Sequence, residues 1–388
     1  MYIYKGRGHP MANKLTTPLS EMLGIKYPIF LAGMAVGGIQ ETAPTPIKLV
    51  AAVSNAGGLG VLGDSFRDLD EMDRGIQELK RLTNGHPYGI DFLLPAVRAD
   101  VTATSNKEVY EQLSKEYPAH IAIMKEVISQ EGLEEAAVSQ SEPMSTDLLK
   151  RKIEIVLDHK VPIFAAATGE PPEWFTKRGH ELGIKFIGMC GAVRHAERQV
   201  AANVDIITAQ GTEAGGHTGN ISSFVLIPQI VDKVAPRPVL AAGGIGSGRH
   251  VAASLALGAQ GAWVGTAFLA SEETNIPTDH QNQILNGRSD QFTTSKFSSG
   301  KQQRAFHNIV KDAWVKSGLT ALPMPLQGIL MEPMTNAAKK AGRWDLVGNP
   351  SGQISGMLTE RRPAKDILME MVDEAEETID AMQRNLRS

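Results

Sequence analysis

The sequence has very little of several features that mark other classes of protein. It contains a single cysteine, Cys190, so no disulfide can form within the chain. It has no uninterrupted apolar stretch of the length that a membrane span needs, and its first residues lack the apolar core of a secretory signal. These absences favour a cytoplasmic protein with no membrane segment.

An excess of charge of one sign is also missing. The 39 basic and 43 acidic residues leave a net charge of −4, with no polybasic run. Binding to nucleic acid or to an anionic membrane is therefore not expected. The histidines at His159, His180 and His195 show no metal-ligand spacing, so no metal site is predicted. Hydrophobic residues, at 42%, and 38 glycines are abundant.

Short β-rich runs recur along the chain, with helix-like segments between them. Several runs are apolar throughout, which is typical of strands buried on both faces. Eight strands that alternate with helices predict an α/β fold with a parallel sheet. The number matches a (β/α)8 TIM barrel, in which loops at the carboxyl ends of the strands carry the chemistry. The eight runs are 28–32, 59–62, 88–94, 161–167, 184–189, 204–209, 237–241 and 261–265.

The spacing of the runs also predicts how the domains are organised. Residues 1–14 are polar and are interpreted as a disordered or tag-like N-terminus. The barrel would comprise residues 15–94 and 161–335, interrupted by a charged, helix-prone insertion or lid at 95–160. Residues 336–388 form a C-terminal extension that ends in an amphipathic helix. We favour docking of this helix on its own barrel, with a homodimer contact as the alternative.

Glycine clusters follow four of the predicted strands, at 32–34, 211–219, 243–246 and 265–266. Glycine allows the backbone to approach a ligand closely, and the last two loops of a barrel often bind phosphate. Tight turns would explain one cluster, whereas four at the same end of a barrel favour a cofactor that bears a phosphate. His217 directly follows two glycines and could move a proton near neutral pH, unless it is only a turn residue.

Three stretches of the chain together resemble the nitronate monooxygenase family. They are SNAGGLG at 54–60, EAGGH at 213–217, and AAGGIG at 241–246 followed by LGA at 257–259. That family, formerly called 2-nitropropane dioxygenase, consists of FMN-dependent TIM-barrel oxidoreductases and includes enoyl reductase-like and NADH:quinone reductase-like members. The resemblance covers roughly residues 20–335, apart from the insertion.

The resemblance implies a catalytic role for His217 at the substrate side of the flavin, and a set of FMN-binding residues. Asp91 departs from the family, because many members have asparagine there. A carboxylate could accept a hydrogen bond from the flavin N3–H but could not donate one. Glu197 is a second departure, at a position where some relatives carry lysine. The implied cofactor-binding residues are Ala32, Gly33, Met34, Asp91, Gln210, Gly211, Gly215, Gly216, Gly243, Gly244, Gly246, Gly265 and Thr266.

Several reactions remain open at this point. The favoured one is oxidation of an alkyl nitronate by O2 to a carbonyl compound and nitrite. In the alternative, NAD(P)H reduces the flavin, which passes hydride to an enoyl thioester of an acyl carrier or CoA, or to a quinone. A barrel that only binds a phosphate-bearing ligand is the third. All three imply a small-molecule partner, while use of NAD(P)H and a homodimer stay open.

Some polar residues are expected to have no part in the chemistry. Glu213 is interpreted as structural, accepting amides near its loop, with a role as a second acid–base group as the alternative. Cys190 is interpreted as a buried thiol. Lys301, Arg304 and His307 form a basic cluster in sequence, which is expected to be a solvated face. Their alternative role is to bind a nucleotide or CoA phosphate.

Overall fold

The structure, a computed structural model, describes residues 15–35, 43–94, 105–142 and 145–386 of the 388-residue chain. The predicted disordered or tag-like segment at 1–14 lies outside these residues, as does the start of the predicted insertion.

Eight parallel strands close into a barrel, in which the last strand pairs with the first. Each overlaps a predicted run, and the predicted (β/α)8 TIM barrel is confirmed. A short strand, β7 (Gly216–His217), lies outside the barrel. The barrel strands are β1 (Ile29–Leu31), β2 (Leu59–Gly63), β3 (Tyr88–Leu93), β4 (Ile163–Thr168), β5 (Lys185–Cys190), β6 (Ile206–Gln210), β8 (Val239–Ala242) and β9 (Gly261–Val264).

Along each strand, one set of alternate residues faces the barrel interior and the other set faces the surrounding helices. Both sets are mostly apolar, so the strands are buried on both faces. Phe30 and Trp263 stack inside the barrel with ring centroids 6.3 Å apart. Leu19 and Leu23 of helix α1 (Pro18–Leu23) pack into this interior core. The apolar filling makes the barrel a solid core, so that a ligand can bind only at an end.

Helices cover the outside of the barrel, and one of them, α3 (Leu69–Leu82), begins at a capped position. Asp68 accepts a hydrogen bond from the Glu71 amide at 2.7 Å, and the Glu71 side chain accepts from the Asp68 amide. That capping box starts α3. The helices that follow barrel strands are α2 (Ile47–Asn55), α3 (Leu69–Leu82), α7 (Glu173–Glu181), α8 (Val193–Ala201), α9 (Ser223–Val234), α10 (Gly248–Ala256) and α11 (Thr266–Leu269).

The predicted insertion at 95–160 contains three helices that pack in two different places. They are α4 (Asn106–Glu116), α5 (Pro118–Gln130) and α6 (Thr146–Asp158). Helix α6 packs on α3, and its Leu149 and Ile153 belong to the main barrel core. It therefore occupies the place of the ordinary barrel helix between β3 and β4.

Helices α4 and α5 instead build a second hydrophobic core with two helices that follow the barrel, α13 (Ile309–Ser317) and α14 (Leu326–Lys340). Leu113 and Met124 contribute from the insertion. The predicted division between barrel and C-terminal extension, at residues 335 and 336, falls inside α14. The role of α4 and α5 as a lid stays a prediction.

The region after the barrel continues with α12 (Thr278–Asn286), β10 (Phe292–Ser295), β11 (Gln303–Phe306) and α15 (Ala364–Asn385). Two 3-10 helices, Ser289–Gln291 and Gln353–Met357, complete it. The predicted amphipathic C-terminal helix is α15, which lies on α10 and α2 and buries Ile367, Met371 and Ala375. It docks on its own barrel, as expected. No helix in the described ranges combines the length and apolarity needed to cross a bilayer.

Candidate active site

The carboxyl ends of the strands form the mouth of the barrel, and alternation decides which side chains line it. Ala32 and Ala242 belong to the interior core, as do Ile187 and Ile206 further down their strands. Ile90 and Phe92 pack outside, so Asp91 between them faces inward. Gln210, four residues beyond Ile206, faces inward as well. Small side chains therefore surround two polar ones at the mouth.

Asp91 is a fully buried carboxyl group whose two oxygens make no well-formed hydrogen bond among the described residues, although the Ala167 amide is close enough to act on the carboxyl group. It occupies space beside Gly33, where an added Cβ atom would lie 2.3 Å from the Asp91 Cβ. Burial raises the pKa of Asp91 well above 3.8, and the Ala167 amide lowers it only in part. The raised pKa favours the protonated form, and a protonated Asp91 can donate as well as accept a hydrogen bond, which the sequence interpretation excluded for the carboxylate.

The loops after β6 and β8 touch backbone to backbone. Gly243 has φ of +92°, and a Cβ atom there would lie 2.9 Å from the Gly211 carbonyl oxygen. Only glycine permits both this conformation and this approach. The Glu213 carboxylate accepts from the Ser223 amide at 3.1 Å and from its hydroxyl at 3.0 Å. Glu213 thus joins its loop to the start of α9, the amide-accepting position that the sequence predicted.

Residues 351–353 of the C-terminal extension complete this part of the mouth. A Cβ atom on Gly215 would lie 2.5 Å from the Ser351 carbonyl carbon. The Gly352 amide donates to the Thr266 hydroxyl at 2.9 Å, and the Gln353 amide donates to the Glu213 carbonyl at 3.0 Å. Sequence reasoning assigned these residues to the extension and missed them. The only local signal is the Pro-Ser-Gly turn at 350–352.

Two further predicted positions have other neighbours. Gly246 packs against Ile354, whose Cγ1 would lie 2.3 Å from an added Cβ atom. The first amide of α10, at Gly248, donates to the Glu374 carboxylate at 2.6 Å. The N-terminus of α10 is therefore already occupied by an anionic side chain of α15.

The ends of β1, β2 and β9 are held together around Met34. The Thr45 hydroxyl donates to the Met34 carbonyl at 2.8 Å and accepts from the Gly63 amide at 3.3 Å. The Met34 sulfur lies 3.4 Å from the position of a Cβ atom on Gly265. Together these contacts bring Ala32, Gly33, Met34, Gly265 and Thr266 to one side of the mouth.

His217 lies in β7, which pairs antiparallel with β11 so that His217 is opposite Gln303. The Gln210 side-chain amide donates to the His217 carbonyl at 2.6 Å and thereby links the strand to the barrel mouth. The His217 Nε2 lies 2.9 Å from the Ser299 hydroxyl. Burial, assisted by the charge of Lys301, lowers the pKa of His217 to about 4, so its ring is neutral at pH 7.

The basic residues of the post-barrel region have separate surroundings rather than forming one cluster. The Arg304 guanidinium donates to the Thr212 carbonyl at 2.8 Å, which ties β11 to the glycine-rich loop. His307 pairs with Asp312 at 3.0 Å on the surface. Lys301 is the member whose charge acts on His217, and burial together with Arg198 lowers the pKa of its ammonium group.

Other candidates lie away from the mouth or are inert. Cys190 is buried, and burial raises its pKa, which confirms the predicted buried thiol. Glu197 forms a 2.7 Å ion pair with Lys233 of α9, with both side chains half-exposed. The described ranges contain no group of three or more histidine, cysteine, aspartate or glutamate residues arranged to bind a metal.

Comparison with known proteins gives a consistent result over more than nine-tenths of the chain. The family model for nitronate monooxygenase matches residues 16–374. A Mycobacterium tuberculosis protein with a provisional monooxygenase name is 32% identical over 381 residues, 95% of this chain and 99% of the relative. A Staphylococcus aureus protein described as a probable nitronate monooxygenase is 33% identical over 366 residues, 92% of this chain and 96% of the relative.

The fold agrees with a solved structure as well. Nitroalkane oxidase from Streptomyces ansochromogenes superimposes with a TM-score of 0.80 at 26% identity, over 94% of this chain and 99% of the other. The glycine-rich mouth, with His217 beside it, is thus set in a barrel that is matched from end to end by both sequence and structure. The chain belongs to the nitronate monooxygenase family, a family of oxidoreductases.

Proposed function

We propose that this protein is an FMN-dependent nitronate monooxygenase, which uses O2 to convert an alkyl nitronate to a carbonyl compound and nitrite. One observation carries the proposal. A neutral histidine, His217, and a cation whose charge acts on it, Lys301, lie together at the mouth of the barrel. Such a pair suits a substrate that is an anion or becomes one on losing a proton. Family membership and the nitroalkane oxidase neighbour support the same reaction.

The residues at the mouth fit a flavin. The two Asp91 oxygens, buried and without a well-formed hydrogen bond among the described residues, would gain from polar atoms of a ligand, since each unpaired group costs about 1–3 kcal/mol. The pyrimidine edge of a flavin presents both N–H and C=O groups, which a neutral carboxyl group can match. Asp91 and Gln210, with Ala32, Gly33 and Met34, would hold the ring. FMN, when bound, supplies the electron-accepting chemistry that side chains lack.

The backbone around the loops after β6, β8 and β9 would hold the ribityl phosphate. Gly216, at φ of +70°, has open space where a side chain would project. The remaining members of this cradle are Gly211, Gly215, Gly243, Gly244, Gly265 and Thr266, with Gly246 supporting it through Ile354.

The side chains then have distinct tasks. Lys301 attracts the nitronate anion and disfavours the protonated form of His217. When the substrate is a neutral nitroalkane, His217 accepts the proton of the carbon next to the nitro group. The electron pair of that C–H bond then moves into the C=N bond of the nitronate. The developing negative charge beside the ring offsets part of the penalty for the imidazolium.

An anaerobic absorbance spectrum tests the proposal, recorded on protein supplied with FMN, before and after adding NADH and, separately, an alkyl nitronate. We expect a flavin band that bleaches with the nitronate and not with NADH. Bleaching by NADH alone would refute the proposal in favour of the NAD(P)H-dependent reductase of enoyl thioesters or quinones. A protein that takes up no FMN would refute both. A homodimer and a cytoplasmic location stay predictions, and use of NAD(P)H is the alternative that this experiment decides.

His217→Ala gives a second test at the level of one residue. The variant should keep its FMN and lose about 10²–10⁴-fold in turnover of a neutral nitroalkane, the usual contribution of a general base. Turnover of a preformed nitronate should fall much less, because no proton has to be removed. Equal losses on both substrates would exclude His217 as the base.

A further inference from the structure

Ser299 is placed against His217 by a turn that the structure holds firmly on both sides. Gly300 has φ of +80°, and a Cβ atom there would lie 2.1 Å from the Leu322 carbonyl oxygen, so glycine is required. The fully buried Gln327 donates to the Phe297 carbonyl at 2.6 Å and accepts from the Leu322 amide at 2.9 Å. The position of the Ser299 hydroxyl is therefore fixed by the turn that carries it, and not only by the hydrogen bond to His217.

The hydrogen bonds around Ser299 determine where the proton of the neutral His217 ring lies. The Ser299 oxygen is 3.1 Å from the Lys301 carbonyl, which can only accept, and 2.9 Å from the His217 Nε2. If the hydroxyl donates to that carbonyl, its oxygen can accept from an Nε2–H group as well as from the Lys301 amide, which lies 3.4 Å away. The Ser299 hydroxyl, the Lys301 carbonyl and the His217 Nε2–H group then all have hydrogen-bond partners.

The other tautomer leaves two groups without partners. An Nδ1–H group would be a largely buried donor, and no described residue offers Nδ1 a hydrogen bond. The hydroxyl would then point to Nε2 and leave the Lys301 carbonyl without its donation. The first arrangement leaves only the Nδ1 lone pair without a partner, whereas the second leaves both an Nδ1–H donor and the Lys301 carbonyl unpaired. Since each buried unpaired group costs about 1–3 kcal/mol, the first arrangement is favoured.

We propose that Ser299 is a positioning residue, which holds His217 as the Nε2–H tautomer and so makes Nδ1 the atom that accepts the substrate proton. This rests on the proposed function in one respect, the identity of the substrate. In the step itself, the C–H bond breaks, its proton bonds to Nδ1, its electron pair forms the C=N bond, and the π pair of one N=O bond moves onto that oxygen. His217 becomes an imidazolium with both nitrogens protonated, and no electrons leave the substrate.

The test combines a measurement on the resting protein with kinetics on four forms: wild type, Ser299→Ala, Ser299→Thr and His217→Gln. Two-dimensional NMR correlation of the ring protons with nitrogen, on FMN-loaded protein containing ¹⁵N-histidine, reports which nitrogen carries the proton. The signal that disappears in His217→Gln is assigned to His217. We expect Nε2–H in the wild type and in Ser299→Thr, and a mixture of tautomers in Ser299→Ala.

In kinetics, Ser299→Ala should lose about 10–100-fold in turnover of a neutral nitroalkane, by analogy with the loss when a group that orients a metal-binding histidine is removed. Ser299→Thr should recover most of that loss, because it keeps the hydroxyl. An Nδ1–H signal in the wild type, or an Ser299→Ala spectrum identical to wild type, overturns the proposal. If no nitro compound is turned over but the tautomer result holds, the substrate assignment fails and the positioning role of Ser299 stands.

Discussion

The position of Asp91 leads to a specific prediction. A buried polar group that binds a ligand should lower the free energy of unfolding of the protein when the ligand is absent. Its carboxyl group is fully buried and has no hydrogen-bond partner in the described part of the chain. Such a group costs about 1–3 kcal/mol. Asp91→Ala removes it, so the flavin-free variant should be as stable as the wild type or more stable, by up to about 3 kcal/mol.

The same substitution should weaken FMN binding. Loss of hydrogen bonds worth about 1.4–3 kcal/mol corresponds to a dissociation constant about 10–150-fold larger. Denaturant unfolding of flavin-free protein gives the stability, and quenching of FMN fluorescence gives the affinity. Asp91→Asn is the matched control, since an amide of nearly the same shape can both donate and accept and should keep most of the affinity. A variant Asp91→Ala that unfolds much more easily yet binds FMN normally would show that Asp91 is purely structural.

The raised pKa of Asp91 adds a pH dependence with a definite sign. A carboxyl group whose pKa is higher in the folded state favours folding while it is protonated. Its contribution is complete below 3.8 and is lost as the pH rises through the higher folded value. The flavin-free wild type should therefore lose stability with rising pH relative to Asp91→Asn. Parallel pH profiles of the two proteins would contradict burial as the cause of the raised pKa.

Three other residues make predictions that can be tested separately. Lys301→Met should raise the pKa of His217, measured by NMR titration, and increase KM for the nitronate, measured by kinetics. An unchanged pKa of His217 would refute the electrostatic effect of Lys301. Lys152 is 1% exposed and donates to the Ser65 carbonyl at 3.0 Å, so Lys152→Met should lower unfolding free energy by about 1–3 kcal/mol in denaturant melts. Gly216→Leu should abolish FMN binding. Gly132 has a similar positive φ and similar open space, so Gly132→Leu should impose the same backbone strain and still bind FMN. Equal FMN binding by these two variants would exclude Gly216 from the cradle.

The barrel could be predicted from sequence because its signals are local. Each strand is a short apolar run bounded by turn residues, and burial on both faces makes these runs distinct from the helices between them. The glycines after the strands mark the mouth for the same reason. Asp91 and Gln210 follow as well, because alternation along a strand assigns their side chains to the interior once the ends of the strand are known.

The parts that could not be predicted depend on contacts between distant segments. Helix α6 looks like part of an insertion, since the stretch before β4 is long and charged throughout, and only its packing on α3 shows that it is a barrel helix. Ser299 lies 82 residues beyond His217, in a region with no motif of its own. Gly352 reaches Thr266 across 86 residues. Strand pairing between β7 and β11 creates the environment of the histidine, and no local pattern near residue 217 specifies that partner. The identity of the proton-accepting nitrogen is therefore a property of the fold, even though the histidine itself can be found from its two preceding glycines.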